Sequence, residues 1–277
     1  MRGFFSKGFD LIKLLILTGC IILNIPIASI RAGWFDTERN EYFMLAHIVE
    51  CINDIAFKFT FIKNQMVRRR HNNIGIGYQS LANVTTGTNN ICIGTHAGLN
   101  SQIGAYNTFI GSDSGLLNDD GNENLGIGYV SLYKNKSGRA NIGLGIAAGY
   151  QSTGNTNTFI GVDAGRNLAF GDHNLYIGNR SGVSESSDSE SSSAIQFNNI
   201  GIGHESLLHI LNSDNNIAIG YHAGYNVTNG SNNLFIGYGS GYSSMTSNNT
   251  LSIGYQAGYS NLVDGGINIG TNAGYNN

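Results

Sequence analysis

The chain has little that would cross-link it covalently or draw it to nucleic acid. Its only proline among 277 residues is Pro26, so every later residue keeps the backbone N–H that a hydrogen-bonded ladder needs. The three cysteines are odd in number and show no CxxC or Cys/His spacing, which excludes a disulfide framework and a cysteine-based metal site. Charged residues make up 12% and the net charge is −3, so nothing attracts nucleic acid electrostatically.

Glycine and asparagine dominate what is there, with 39 glycines and 37 asparagines. The hydrophobic fraction of 41% is too high for wholesale disorder. Glycine does not recur at every third position, which excludes a collagen helix. The composition indicates a structural protein and not an enzyme, and no residue stands out as catalytic, cofactor-binding or metal-binding.

The N-terminal residues 1–32 resemble a targeting segment. Three basic residues precede an apolar run over residues 14–30, which approaches the about 20 residues that cross a bilayer. This order predicts a signal peptide or signal-anchor, so that the protein is secreted or membrane-anchored and surface-exposed. A buried helix is the alternative. Leu17-Thr18-Gly19-Cys20 also resembles a bacterial lipobox, but the apolar run continues beyond Cys20.

Residues 33–71 are predicted to form a helical stalk. Apolar residues recur in an a/d heptad pattern, which is typical of a coiled coil; they are Leu45, Ile48, Ile52, Ile55, Phe59, Ile62 and Met66. Isoleucine-rich a and d layers favour trimers or higher assemblies over dimers. An amphipathic helix packed on another element is the alternative.

From residue 72 the chain is a single repeat. An Ile-Gly or Leu-Gly dipeptide occurs twelve times, mostly 17 residues apart, with two intervals of 16 and one of 25. Its glycines, which we number as position zero, are Gly77, Gly94, Gly111, Gly128, Gly145, Gly161, Gly178, Gly203, Gly220, Gly237, Gly254 and Gly270. So many copies at a near-constant period predict a solenoid.

The pattern within each unit predicts how it folds. Position −4 is Asn in ten copies, position −1 is Ile in eleven, and position +3 is Ala or Ser in all twelve. A unit of 17 residues fits one rung of a parallel β-solenoid, with positions −3 and −1 on one side of a strand and +3 and +5 on one side of a second. We therefore expect about twelve rungs over residues 72–277, which are an all-β head.

Stacked rungs place like residues above one another. We expect the −1 isoleucines to form a buried ladder and the −4 asparagines to bond between rungs. The glycines at positions 0 and +4 would allow positive φ where the chain bends. The 25-residue interval contains a serine-rich, low-complexity stretch, which predicts a solvated loop over residues 184–194.

Two stretches carry a resemblance to a known family. Asn-Asn-Ile-Ala-Ile-Gly-Tyr-His-Ala-Gly (residues 215–224) and Asn-Thr-Phe-Ile-Gly-Val-Asp-Ala-Gly (residues 157–165) are similar to the head repeat of YadA-type trimeric autotransporter adhesins, also seen in phage and viral fibre proteins. The resemblance covers residues 72–277. It implies a homotrimer of parallel β-rolls, surface display and binding through repeated faces, with a host surface or matrix ligand. Because the candidate coil here precedes the head, we expect N-terminal anchoring in the membrane.

A second resemblance competes with the first. Ile-Gly-Tyr-His-Ala-Gly (residues 219–224) is also similar to the hexapeptide unit of left-handed β-helix acyltransferases, which carry three such units per coil where this chain has one. The seven histidines share no fixed position in the repeat. The sequence therefore favours an adhesin-like fibre protein, with a passive coat or virion-surface protein as the alternative and an acyltransferase as a third.

Overall fold

The computed structural model describes residues 72–184, 195–260 and 263–276, and there it forms a parallel β-solenoid. Its twelve three-residue strands pair in sequence order within one sheet, and all neighbours are parallel. They are β1 (Ile74–Ile76), β2 (Ile91–Ile93), β3 (Thr108–Ile110), β4 (Leu125–Ile127), β5 (Ile142–Leu144), β6 (Thr158–Ile160), β7 (Leu175–Ile177), β8 (Ile200–Ile202), β9 (Ile217–Ile219), β10 (Leu234–Ile236), β11 (Leu251–Ile253) and β12 (Ile267–Ile269). The predicted solenoid is confirmed.

The predictions for residues 1–71, a hydrophobic helix and a coiled-coil-like stalk, lie outside the described residues. Within residues 72–184, 195–260 and 263–276, no helix is long and apolar enough to cross a membrane. Residues 185–194 of the serine-rich loop are also outside the described part. Ser184, which we placed in that loop, is instead buried, and its N–H donates to Arg166 O at 3.1 Å.

The register of the strands is the same at every step. The 16-residue interval pairs Ile142 with Thr158, and the 25-residue interval pairs Leu175 with Ile200. Differences in unit length are therefore absorbed outside the strands. Backbone hydrogen bonds between rungs also continue beyond the strands, for example from Leu81 N to Ala97 O at 3.1 Å. Each rung is bonded to the next along most of its length.

The segment after each strand is a turn, so our expectation of a second strand at positions +3 to +5 is wrong. Every residue at position +2 has positive φ, as at His96 (55°), and so has position +4, as at Gly98 (57°). Left-handed residues break the side-chain alternation of an extended chain. The predicted positive φ is confirmed at the glycines of position zero, with 135° at Gly94, and at the glycines of position +4, with 57° at Gly98.

The core is lined by the middle residue of each strand, position −2. Phe109, Phe159 and Tyr176 there are fully buried, whereas Ile127 at position −1 is 39% exposed. Our expectation of a buried ladder of −1 isoleucines is therefore wrong. Adjacent residues of a strand point to opposite faces, so a core-facing position −2 turns both −3 and −1 outward.

Positions −2 and +4 share the core volume between them. Where position −2 is Phe109, position +4 is Gly115, and a Cβ added there would meet the Phe109 ring at 2.5 Å. Where position −2 is Gly126, position +4 is Leu132, which is fully buried. A large side chain at one position is thus matched by a small one at the other, as close packing requires.

The −4 asparagines form the predicted polar ladder. Asn107 donates from its backbone N and from Nδ2 to Asn90 Oδ1, at 2.9 and 3.1 Å, and from Nδ2 to Gly121 O at 2.7 Å. Similar contacts recur from rung to rung up to Asn233. Because these side chains are almost completely buried, their hydrogen bonds satisfy groups that would otherwise be costly to desolvate.

Candidate interaction surfaces

The outer side of the sheet is an aliphatic face made by positions −3 and −1 of β1 to β12. Of its twenty-four side chains, twenty-two are Ile or Leu and two are Thr, and none is charged. They are Ile74, Ile76, Ile91, Ile93, Thr108, Ile110, Leu125, Ile127, Ile142, Leu144, Thr158, Ile160, Leu175, Ile177, Ile200, Ile202, Ile217, Ile219, Leu234, Ile236, Leu251, Ile253, Ile267 and Ile269. All are half-buried or exposed in the single chain.

The aliphatic face is long and continuous. Eleven spacings of about 4.8 Å between parallel strands give it a length of about 50 Å. Soluble monomers seldom expose contiguous apolar patches of more than a few hundred Å², and larger ones usually mark interaction sites. The side chain of Ile74 is 49% exposed and that of Ile219 is 37% exposed. The aliphatic face is therefore a candidate contact surface.

Two tyrosine columns lie on the turns of the later rungs. The first, at position +1, stacks Tyr221, Tyr238 and Tyr255 with ring centroids 5.1 and 5.2 Å apart. The second, at position +5, contains Tyr225, Tyr242, Tyr259 and Tyr275, with centroids 4.7 to 4.9 Å apart. The rings face one another at angles of 12° or less. Each column therefore presents ring edges and hydroxyl groups to the outside.

Partial burial changes the acidity of two phenols of the second column. Burial raises the pKa of Tyr242 and of Tyr259, and the charge that a neighbouring tyrosinate would carry raises each pKa further. Burial similarly raises the pKa of Tyr133, which stacks on Tyr150 at 5.1 Å. The hydroxyls of Tyr242 and Tyr259 are consequently neutral donors and acceptors at physiological pH.

Three potential metal-ligating side chains meet on the turns after β8 and β9. Glu205 Oε2 lies 2.8 Å from His222 Nε2 and 3.9 Å from His204 Nδ1, and Arg180 donates to the other carboxylate oxygen, Oε1. Tyr221 stacks on the His204 ring at 5.3 Å. This arrangement fixes the orientation of both imidazole rings.

The sequence analysis did not bring these histidines together, because His204 is at position +1 and His222 at position +2. The signal that could have found them is the period itself, since residues 17 or 18 apart in a 17-residue repeat are neighbours on adjacent rungs. His96 lies apart from them and contacts Asp113 at 2.9 Å. His173 lies beside the hydroxyl of Thr156. His47 and His71 lie outside the described residues.

Two further features bear on chemistry. Cys92 is buried, and burial raises the pKa of its thiol far above the usual range, which keeps it in the unreactive thiol form. A hollow beside Arg166 and Arg180 has a volume of about 150 Å³, below the about 300–1,000 Å³ of typical small-molecule pockets.

Comparisons with protein-family models, with curated proteins and with solved structures find no match for this chain. The geometry of the described residues is what supports a function.

Proposed function

We propose that the chain is a non-enzymatic, surface-displayed fibre protein whose β-solenoid head associates with two further copies and binds a target through its repeated outer faces. The observation that carries the proposal is the uncovered aliphatic face along the whole sheet. A rod that buries this face against its own copies presents its turns, including the tyrosine columns, to the surroundings.

The size of the aliphatic face fits self-association. A strip about 50 Å long and about 12 Å wide has an area on the order of 600 Å², close to the roughly 800 Å² that each partner buries in a standard interface. Its pattern repeats identically along the rod, so a copy of the chain with the same period matches it rung for rung. A partner of different repeat length would lose that match after a few rungs.

Three copies are favoured over two by two features of the sequence. The isoleucine-rich heptads of residues 42–67 are typical of trimeric or larger coils. The resemblance of residues 72–277 to trimeric adhesin heads points the same way. Both favour three parallel chains with equivalent rungs at the same height.

Sedimentation equilibrium of the 277-residue chain tests the assembly. We expect a trimer, and we expect the pair of changes Ile127→Glu and Ile219→Glu to dissociate it, because buried carboxylates would lie unpaired in the interface. Tyr129→Glu is the matched control, since Tyr129 is two residues from Ile127, on the turn, and is 57% exposed. A wild-type monomer, or dissociation by the control alone, would contradict the proposed interface.

Binding to immobilised matrix proteins and to cell surfaces tests the adhesive role. We expect saturable binding by the wild-type chain, weakened by Tyr238→Ser in the first tyrosine column. Tyr129→Ser, at the same position of an earlier rung, is expected to leave binding intact. Absence of binding by a well-formed trimer would refute adhesion and favour the alternative, a passive coat or virion-surface protein.

The acyltransferase alternative has less support. Each rung has one three-residue strand, whereas the hexapeptide enzymes are built from three strands per coil. Incubation with acyl-coenzyme A and acceptor amines or alcohols tests it directly. Turnover would refute the non-enzymatic proposal.

A further inference from the structure

His204, Glu205 and His222 form a cluster that neither the repeat nor the proposed function requires. No other pair of adjacent rungs within the described residues brings three such potential ligands together. Their nitrogen and carboxylate ligand atoms all lie within 4.8 Å of one another. We infer that this cluster is a binding site for a divalent transition-metal ion of the zinc class, which clips the rung of β8 to the rung of β9.

The backbone places the ligands before any metal binds. Glu205 and His222 are both at position +2, with φ of 54° and 56°, so their side chains leave consecutive rungs in the same direction. The backbone bonds from Glu205 N to Asn179 O (2.9 Å) and from His222 N to His204 O (3.1 Å) fix the height of each rung. The cluster is thus an outcome of the solenoid register and not of a flexible loop.

The distances between the ligand atoms suit tetrahedral coordination. Bonds of about 2.0–2.1 Å from zinc to imidazole nitrogen and carboxylate oxygen place neighbouring ligand atoms about 3.3 Å apart. Glu205 Oε2 is 2.8 Å from His222 Nε2 and 3.9 Å from His204 Nδ1, which brackets that value, and the ligand nitrogens of the two histidines lie within 4.8 Å of each other. Small side-chain rotations bring the three atoms around one ion, and the fourth position stays open to water.

The surroundings hold the ligands in place. The side chain of Glu205 is 12% exposed, and its second oxygen accepts a hydrogen bond from Arg180. The His222 ring contacts Tyr221 at 3.8 Å and Tyr225 at 4.6 Å between centroids. A site whose ligands are held by second contacts of this kind loses little conformational freedom on binding.

The chemistry of the donors selects the class of ion. Two imidazoles and one carboxylate suit zinc and its neighbours among the transition metals, whereas calcium needs six to eight oxygen ligands. Without metal, the Nε2–H of His222 donates a hydrogen bond to Glu205 Oε2. On binding, the imidazole changes tautomer, so that the proton is on Nδ1 and Nε2 gives its lone pair to the ion.

Titration of the 277-residue chain with zinc chloride, measured against a chromophoric chelator, tests the inference. We expect the wild type to bind one more zinc ion per chain than His222→Gln. Because any zinc held elsewhere in the chain is bound by both proteins, it cancels in this difference. Cobalt(II) is expected to give the intense visible absorption of a tetrahedral site in the wild type and to lose it in Glu205→Gln. Circular dichroism of both variants verifies that the solenoid is intact.

His96→Gln is the matched control. His96 and Asp113 also lie at position +2 of consecutive rungs and contact each other at 2.9 Å, but no second histidine accompanies them. We expect this variant to bind zinc as the wild type does, and zinc to raise the unfolding temperature of both. Equal zinc stoichiometry in the wild type and His222→Gln would overturn the inference. The outcome is independent of trimer formation and of adhesion.

Discussion

The glycine column at position zero allows the contact between rungs to be measured with one pair of substitutions. Gly128 has φ of 134°, and a Cβ there would lie 2.3 Å from Gly145 O. Gly270, on the last rung, has φ of 121°, but a Cβ there would meet nothing within 4 Å. Gly128→Ala therefore adds backbone strain and a clash, whereas Gly270→Ala adds the strain alone.

The magnitudes follow from this geometry. A non-glycine residue in such a conformation costs about 1–3 kcal/mol in either variant. Cβ atoms essentially never approach closer than 3.0 Å, so the rungs at Gly128 must also separate by about 0.7 Å. The bonds from Gly145 N to Ile127 O (2.8 Å) and from Ala147 N to Tyr129 O (2.9 Å) would then leave the range of about 2.7–3.2 Å. Losing both adds about 2 kcal/mol.

Urea unfolding followed by far-ultraviolet circular dichroism gives the free energy of unfolding of each variant in the 277-residue chain. Hydrogen exchange at the amides of Gly145 and Ala147 adds a local measure, because solenoids can open rung by rung. We expect Gly128→Ala to be less stable than Gly270→Ala by about 2 kcal/mol and to lose protection at both amides. Equal destabilisation by the two variants would refute the close stacking of rungs on which the fold depends.

Two other predictions concern the asparagine ladder and the second tyrosine column. Thr250 interrupts the asparagine ladder, and its buried hydroxyl has no hydrogen-bond partner. We therefore expect Thr250→Asn to raise the free energy of unfolding by about 1 kcal/mol. An unchanged or lower urea midpoint would contradict this. The pKa of Tyr242 is higher in the folded chain than its ordinary value of about 10. Above that pH the unfolded state loses a proton that the folded state keeps, so the free energy of unfolding falls as pH rises. Urea midpoints measured across this pH range should fall less steeply in Tyr242→Phe than in the wild type. An equal fall of the midpoint with pH in both proteins would contradict the raised pKa of Tyr242 in the folded chain.

The repeat made much of the fold predictable from the sequence. A constant period with one conserved glycine required stacked rungs, and parallel pairing in sequence order followed. The asparagine ladder was predictable because Asn107 and Asn124 recur at the same position and can donate and accept at once. Positive φ at Gly111 was predictable since only glycine adopts that conformation without strain.

The buried face of the strands was predicted wrongly because chemical uniformity was taken as the sign of a core. Position −1 is nearly always isoleucine, yet it faces outward. Position −2 varies from Gly126 to Phe109 and even Asn268, yet it is the buried position. Where position −2 is large, position +4 is glycine, as at Tyr176 and Gly182, and where position +4 is leucine, position −2 is glycine, as at Leu207 and Gly201. A comparison of positions −2 and +4 within each unit would have revealed this relation, because Phe109 with Gly115 in one unit is replaced by Gly126 with Leu132 in the next.

The turns and the histidine cluster were missed for a related reason. Non-glycine residues such as Glu205 and His222 adopt left-handed φ at position +2, and their residue types do not predict this conformation. The neighbouring rungs impose that conformation through the hydrogen bonds of the register. Where tertiary contacts fix the backbone, local propensity carries little information, and the cluster emerges only when the rungs are stacked.

The distribution of side chains along the rod would let the two parts of the proposed function, assembly and target binding, use different surfaces. The aliphatic face runs from β1 to β12 without a change of character, which suits contact between identical chains in register. The longest tyrosine stacks run from Tyr221 to Tyr275, on the later rungs, whereas the described part of the earlier rungs carries one stacked tyrosine pair, Tyr133 and Tyr150. Within the proposed function, binding at one height needs a feature confined to a few rungs, because a surface that is the same on every rung offers equivalent sites along its whole length. We therefore expect target binding at the rungs of β9 to β12, and loss of binding on changing Tyr238 is the result that this division of roles requires.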